Sequence, residues 1–237
     1  MVNMAGIECK NIHKTYLVDE TPLPVLKGIY LYIPENSITV ILGRSGCGKT
    51  TLLRLVAELE KPDSGEILFG TEHKTAFVFQ ESRLMPWLNV WDNVVFGLKK
   101  QGISVETIQN IIDSVGLKGF EKAYPHQLSG GMQQRAAMAR ALAYAPSFIM
   151  MDEPFASLDH FTRNQMQKEL MKLQQKSGAS ILFVTHSIDE ALLLGHKIAI
   201  IENGLVKREF LIDEMERDLL SPAFIEMKRE IISELNL

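Results

Sequence analysis

The chain has 237 residues, of which 46% are hydrophobic and 23% charged, with a formal net charge of −4. That balance excludes a disordered chain and suits a globular protein of one or two domains, while the acidic balance argues against a nucleic-acid partner, which calls for a basic surface. The longest apolar runs, such as AFVF and IAII, fall far below the roughly 18 residues of a membrane span, and the N-terminus reads without a signal segment, so a cytoplasmic location is expected.

In chain order, the first clear element is SITVIL, Ser37 to Leu42, a short unbroken apolar run of the kind that forms a strand covered on both faces. It leads into GRSGCGKTT and then a helical pattern, TTLLRLVAEL. The run AFVFQ closes on Gln80, and from Glu81 to Gly119 the pattern reads as mostly helical, the expected start of an inserted helical subdomain. A helix rich in Ala, Met, Gln and Arg is expected from Gly131 to Tyr144, stopped by Pro146. Two further buried strands follow, Ser147 to Met151 and Ser180 to Val184. Between them Phe161 to Lys176 places Met166, Leu170 and Leu173 on one helical face, and Gly178 supplies a stop. SIDE, Ser187 to Glu190, has the form of a capping box and starts a helix one residue after His186. Near the end, Ser221 and Pro222 can open a short helix with Phe224, Met227 and Ile231 on one face. Strands alternating with helices imply an α/β fold with a parallel sheet, in which ligands sit beyond the carboxyl ends of the strands; the three strand tips are therefore expected at one site.

Each tip carries chemistry. Gly43 to Thr50 (Gly43, Arg44, Ser45, Gly46, Cys47, Gly48, Lys49, Thr50) has the spacing of a phosphate loop. Its glycines let backbone N–H groups point at a β-phosphate, Lys49 reaches the β- and γ-oxygens, and the Thr50 hydroxyl is offered to Mg²⁺. Thr51 continues the helix start. Asp152 and Glu153 end the second strand and can divide labour, Asp152 holding Mg²⁺ and Glu153 orienting and deprotonating the attacking water, with Pro154 turning the chain away. His186 stands at the third tip, where an imidazole can hydrogen-bond a γ-phosphate. Gln80 can turn its amide oxygen to Mg²⁺ or the water. In LSGGMQQR, Ser129, Gly130 and Gly131 form a second helix start that favours an anion, this time without a lysine. Cys9 and Cys47 give neither a disulfide framework nor metal-ligand spacing; Cys47, at a helix N-terminus, is expected to have a lowered thiol pKa.

Taken in order, Tyr16, GRSGCGKT, Gln80, LSGGMQQ, FIMMDEP, the loop SLD ending at Asp159, and His186 resemble the nucleotide-binding subunit of an ATP-binding cassette transporter over nearly the whole chain. The resemblance implies a phosphate-loop NTPase core, a mainly parallel sheet flanked by helices with an antiparallel β edge, plus the inserted helical subdomain. It puts the nucleotide-binding domain at residues 1–210, the helical subdomain at about 84–145 and a short helical extension at 211–237. Tyr16 would stack on adenine. The cofactors implied are ATP and Mg²⁺, with Thr50, Gln80 and Asp152 around the metal and Glu153, His186 and Lys49 in catalysis. Two copies would pair head to tail, with Ser129, Gly130, Gly131 and Gln133 of one closing over the ATP of the other and Asp159 in the dimer loop.

RLMPWLNVWDNVVFGL, MDEPFASLDHFTR and VTHSIDEALLLGHKI resemble more narrowly the ATPases of importers for nitrate, sulfonate and taurine, a group that includes transporters of thiamine precursors. Membership implies membrane permease subunits and, indirectly, an extracytoplasmic substrate-binding protein as partners, with the chain peripheral on the cytoplasmic face of the membrane. Met85, Trp87 and Trp91 lie where such ATPases receive the permease. Glu58 departs from the family pattern, where glycine is common, and the stretch from Phe69 to Phe79 is short. Two other classes of ATP-binding protein fit this sequence less well. A chromosome or DNA-repair ATPase would separate the motifs by a long coiled coil, and no sustained heptad array precedes Leu128. An allosteric ATP-binding module would not need Lys49, Glu153 and His186 together.

Overall fold

The computed structural model describes residues 6–70, 73–98, 102–212, 219 and 221–235. In chain order its strands and helices are β1 (Gly6–Val18), β2 (Thr21–Pro34), β3 (Ile38–Leu42), α1 (Lys49–Val56), β4 (Ser64–Phe69), β5 (Thr75–Val78), α2 (Val90–Val94), α3 (Val105–Ser114), α4 (Gly130–Ala143), β6 (Phe148–Asp152), α5 (His160–Ser177), β7 (Ser180–Thr185), α6 (Ile188–Leu194), β8 (Lys197–Glu202), β9 (Leu205–Leu211) and α7 (Pro222–Glu234). They fall into two compact units, one built from residues 1–73 and 178–237, the other from 74–177.

In the first unit β7, β3 and β8 run parallel and β9 closes the edge antiparallel to β8. Every residue of β3 and β7 is buried. That is why both read as continuous rather than alternating hydrophobicity: α1 packs against β7 and α6 against β3, so the strands have no solvent face. A separate antiparallel sheet runs β2-β1-β4, with Tyr16 opposite Leu23 close to the hairpin end. The antiparallel edge and the parallel core make this an α/β nucleotide-binding architecture of the expected kind.

Glu58 explains the family's glycine. It follows the C-cap of α1, Ala57, and adopts a left-handed conformation at φ 57°. Glycine takes that conformation without strain, whereas a residue with a Cβ pays roughly 1 kcal/mol. Here the side chain is tied to His73 at 3.1 Å. The C-terminal helix begins as expected, with Ser221 accepting from the Phe224 N–H at 3.4 Å. Phe224 and Ile231 are buried, Met227 half-buried. Arg208 on β9 fixes this helix from outside by pairing with Glu230 and Glu234.

In the second unit β5 and β6 pair parallel, and α4 packs against β5, α2 and α3. The stretch from 81 to 119 is less helical than expected, with α2 and α3 as its only helices among the described residues. From Ser82 to Asn89 the chain is turn and loop, because the buried Asn93 does the work of helix hydrogen bonds. Its amide donates to the carbonyls of Met85 (3.2 Å), Leu88 (2.9 Å) and Asn89 (3.0 Å), and its oxygen accepts from the Met85 N–H (2.8 Å). A side chain that satisfies several backbone groups stabilises a non-helical segment that hydrophobic pattern alone assigns to helix. Among the described residues no helix is long and apolar enough to cross a membrane.

Candidate nucleotide-binding site

Leu42, the last residue of β3, pairs with Thr185, the last of β7. The next residues are Gly43 and His186, so strand register alone brings the phosphate loop and the histidine out at adjacent strand ends. Within the loop, Gly46 and Gly48 hold left-handed conformations at φ 79° and 107°. A Cβ on Gly48 would lie 2.7 Å from Leu26 Cδ2, and one on Gly43 would lie 2.5 Å from the Ile201 carbonyl oxygen. Gly46 is demanded by its φ, Gly43 by the close approach of the Ile201 carbonyl, and Gly48 by both φ and the lack of room for a Cβ. Gly48 caps α1 without any side-chain hydrogen bond, and the first turn of α1 contains no acidic residue. The cap position therefore contributes no side-chain acceptor of its own to the first N–H groups of α1, an arrangement that suits an anion.

Lys49 is 6% exposed, and its ammonium donates to the carbonyls of Gly43 and Arg44, both at 2.9 Å. Both of those partners are neutral. A buried ammonium held this way is suited to an incoming phosphate. Ser45 and Arg44 are exposed at the loop surface, and Thr50 and Thr51 are half-buried in the first turn of α1. The thiol of Cys47 is displaced upward from its ordinary pKa, first by burial, against the lowering influence of Lys49 and nearby backbone N–H groups. The expectation of a lowered pKa is overturned because desolvation outweighs the helix terminus here.

Tyr16 is half-buried, and its hydroxyl donates to Glu60 Oε2 at 2.5 Å, while Arg54 approaches Glu60 Oε1 at 3.5 Å. Burial and that hydrogen bond raise the phenol above its usual pKa. The ring is thus fixed in orientation by a carboxylate that sequence reading did not identify. His186 is exposed, one residue before the α6 cap, Ser187.

In the second unit Asp152 ends β6 and is 6% exposed, and Glu153, half-buried, follows in a left-handed conformation at φ 44°. A non-glycine residue there is uncommon, and such strain concentrates at functional positions. Pro154 and Phe155 behind it are buried, so the turn is held by packing. Gln80 is exposed just past β5. The carbonyl of its neighbour, Phe79, accepts from Gln134 Nε2 at 2.8 Å, and Arg140 donates to the carbonyls of Ser82 and Arg83. Helix α4 thereby braces the segment that carries Gln80.

The LSGG segment starts α4 with Ser129 as its cap, the hydroxyl accepting from the Met132 N–H at 3.3 Å. Gly130 is exposed with nothing within 4 Å of an added Cβ, whereas a Cβ on Gly131 would meet Leu158 at 3.0 Å. Gln133 turns inward: Ser82 donates to its oxygen, and its amide donates to the carbonyls of Pro125 and Leu128. Asp159 caps α5 by accepting from the Thr162 N–H at 3.0 Å, and those hydrogen bonds to Thr162 hold its carboxyl below the usual range.

A glycine-lined, lysine-bearing loop between a parallel strand and a helix defines the phosphate-loop NTPases. Comparison with known proteins narrows this. The family model for the ABC transporter matches residues 26–156. An uncharacterised ABC transporter ATP-binding protein of Methanocaldococcus jannaschii is 43% identical over 240 residues, covering 96% of this chain and 90% of its own length. The taurine import ATP-binding protein of Escherichia coli K12 is 40% identical over 231 residues, covering 89% and 91%. Among solved structures, a dimeric ATP-binding cassette in a post-hydrolysis state with ADP and phosphate superimposes with a TM-score of 0.81 at 33% identity, over 88% of this chain and all of that one. The chain belongs to the ABC transporter family of ATP-binding proteins, in the group that resembles nitrate, sulfonate and taurine importers, and it is an ATPase.

Proposed function

We propose that this chain is the ATP-hydrolysing motor of an importer, working as a head-to-tail homodimer on the cytoplasmic side of a membrane permease. The observation that carries the reading is the phosphate loop itself, in which the start of α1 lacks a side-chain cap and the buried Lys49 is held by neutral carbonyls. Lys49 binds the β- and γ-phosphates, the loop N–H groups cradle them, and Tyr16 stacks on the base. His186 hydrogen-bonds the γ-phosphate, and Glu153 orients the attacking water and takes its proton.

Thr50, Gln80 and Asp152 would hold Mg²⁺. Among the described residues there is no cluster of three or more His, Cys, Asp or Glu side chains able to hold a metal. That fits Mg²⁺, which binds one or two protein oxygens and completes its shell with phosphate and water. Bound there, it would supply charge neutralisation on the phosphate oxygens.

Ser129, Gly130 and Gly131 act on the ATP of the second copy, and Asp159 lies in the dimer loop. Gln133 contributes by bracing the LSGG turn from within. The domain assignment proposed is a nucleotide-binding domain at 1–210 with its helical subdomain at about 84–145, followed by a helical extension at 211–237. Trp87 is 70% exposed on the loop that Asn93 organises, with Met85 and Trp91 half-buried. An exposed aromatic on a braced loop suits a permease anchor. Membership of the taurine, nitrate and sulfonate group, supported by the taurine import relatives, points to a small solute of that kind, or a thiamine precursor, delivered by an extracytoplasmic binding protein.

Glu153→Gln is the test. It keeps the shape and removes the base, so ATP turnover should fall at least about a hundredfold while ATP drives a dimer that survives size-exclusion chromatography. Turnover at the wild-type rate would remove Glu153 from the role of base.

A further inference from the structure

His186 is exposed in the two-residue junction between β7 and α6, yet its proposed task requires a fixed ring. Both of its chain neighbours are tied to Glu190, Thr185 through the buried carboxylate and Ser187 through the backbone N–H. Thr185, 2% exposed, donates its hydroxyl to Glu190 Oε2 at 2.6 Å, and the same hydroxyl oxygen accepts from the Ser187 N–H at 3.0 Å. Glu190, 8% exposed, lies in the first turn of α6, and its own N–H donates to Ser187 Oγ at 3.3 Å. The expected capping box is therefore only half present. The serine cap forms, but the glutamate does not reach back to the Ser187 N–H directly; it reaches Thr185, whose hydroxyl passes the hydrogen bond on.

An ordinary capping box would secure the helix start and leave the strand end free. The relay instead closes a ring of hydrogen bonds across His186, joining the residue before it to the residue after it. Thr185 is also register-locked to Leu42, the residue before the phosphate loop. Glu190 thus couples the backbone of His186 to the strand that sets Gly43.

Resting on the assignment of His186 to the γ-phosphate, we propose that Glu190, acting through the Thr185 hydroxyl, is a positioning residue for His186. Neither side chain touches nucleotide. Its loss lets the histidine backbone drift, and misplacement on the order of 1 Å is enough to cost up to about a hundredfold in rate. Binding of ATP, carried by the phosphate loop, is left in place.

The experiment compares Thr185→Val, Thr185→Ser and His186→Ala, in the full chain, by steady-state ATP hydrolysis and thermal melting. Thr185→Val preserves volume and removes the hydroxyl, and it should lower kcat at least about tenfold with KM within about twofold. Thr185→Ser, which restores the hydroxyl, should recover most of the rate. Added to His186→Ala, Thr185→Val should cause no further loss, because both act through the same ring. A helix-capping role alone would lower the melting temperature without this split or this non-additivity. Wild-type kcat in Thr185→Val, or a loss that adds to that of His186→Ala, overturns the relay. If Thr185→Val does not fold, Glu190→Gln, equal in size and a weaker acceptor, should still reduce kcat about two- to fivefold, and an unchanged kcat overturns the relay. Wild-type turnover in His186→Ala takes down the histidine assignment and the relay with it; loss there beside normal Thr185→Val turnover sinks the relay alone.

Discussion

Two helix starts in this molecule are rich in glycine, and they are built to opposite ends. At α1 the cap is Gly48, left-handed and without a side-chain bond, with a buried lysine immediately inside. At α4 the cap is Ser129, which spends its hydroxyl on the Met132 N–H, and no lysine follows in the first turn. The first start has no side-chain cap of its own, and on the proposed reading an anion completes it. The second is already satisfied in part by its own serine, and its exposed Gly130 leaves backbone accessible without a cradle around it. On the proposed reading an anion binds the first alone, whereas the second would gain only where a phosphate is already held. That difference is the physical basis for assigning one to primary binding and the other to closure over a second copy's ATP.

The largest effect expected is at Lys49. On the proposed reading Lys49→Ala removes a charge-assisted contact to two phosphate groups, so ATP affinity should drop on the order of a hundredfold or more and hydrolysis should vanish. Fluorescent-nucleotide titration of the monomer and phosphate release measure the two. Retained affinity would mean that the helix start, not the lysine, dominates binding, and the contrast between the two sites would collapse.

Ser129→Ala comes next. Loss of the cap should cost about 1 kcal/mol of stability, read by denaturant unfolding. Turnover should fall about tenfold while ATP affinity of the monomer stays within about twofold, if the residue meets nucleotide only in the dimer as proposed. Equal loss of monomer affinity would show that the LSGG start binds nucleotide within its own chain.

Legibility in the sequence followed the range of the forces involved. The strands β3, β6 and β7 were readable because complete burial removes any polar alternation. The phosphate loop and the α6 cap were readable because their residues are neighbours in the chain. What escaped reading are the braces that join distant residues: Glu60 with Tyr16, Gln134 with the Phe79 carbonyl, and Arg140 with Ser82 and Arg83. No local pattern announces such pairs. The loop before α2 was misread as helical for a related reason, since a single buried Asn93 satisfies backbone groups that periodicity assigns to a helix. The Cys47 thiol failed differently. Lys49 and the neighbouring backbone N–H groups lower its pKa, and burial, seconded by the charge of Glu202, reverses the sign.

That reversal yields the smallest expected effect and a further probe of the α1 start. Because the folded thiol titrates above its ordinary value, less thiolate is present at neutral pH than in an exposed cysteine. Alkylation of Cys47 should be several-fold slower than that of a small-molecule thiol at pH 7.5, and its rate should still be rising where the free thiol has levelled off. Cys9, buried and pushed up to about 12, should stay unmodified throughout and serves as the internal control. An anion in the loop adds negative charge beside the sulfur and covers the loop surface, so ATP should slow Cys47 further and leave Cys9 unchanged. Peptide mass spectrometry of the modified chain separates the two cysteines. Alkylation of Cys47 faster than a free thiol would restore the helix terminus as the dominant influence, and equal rates with and without ATP would place the nucleotide away from α1.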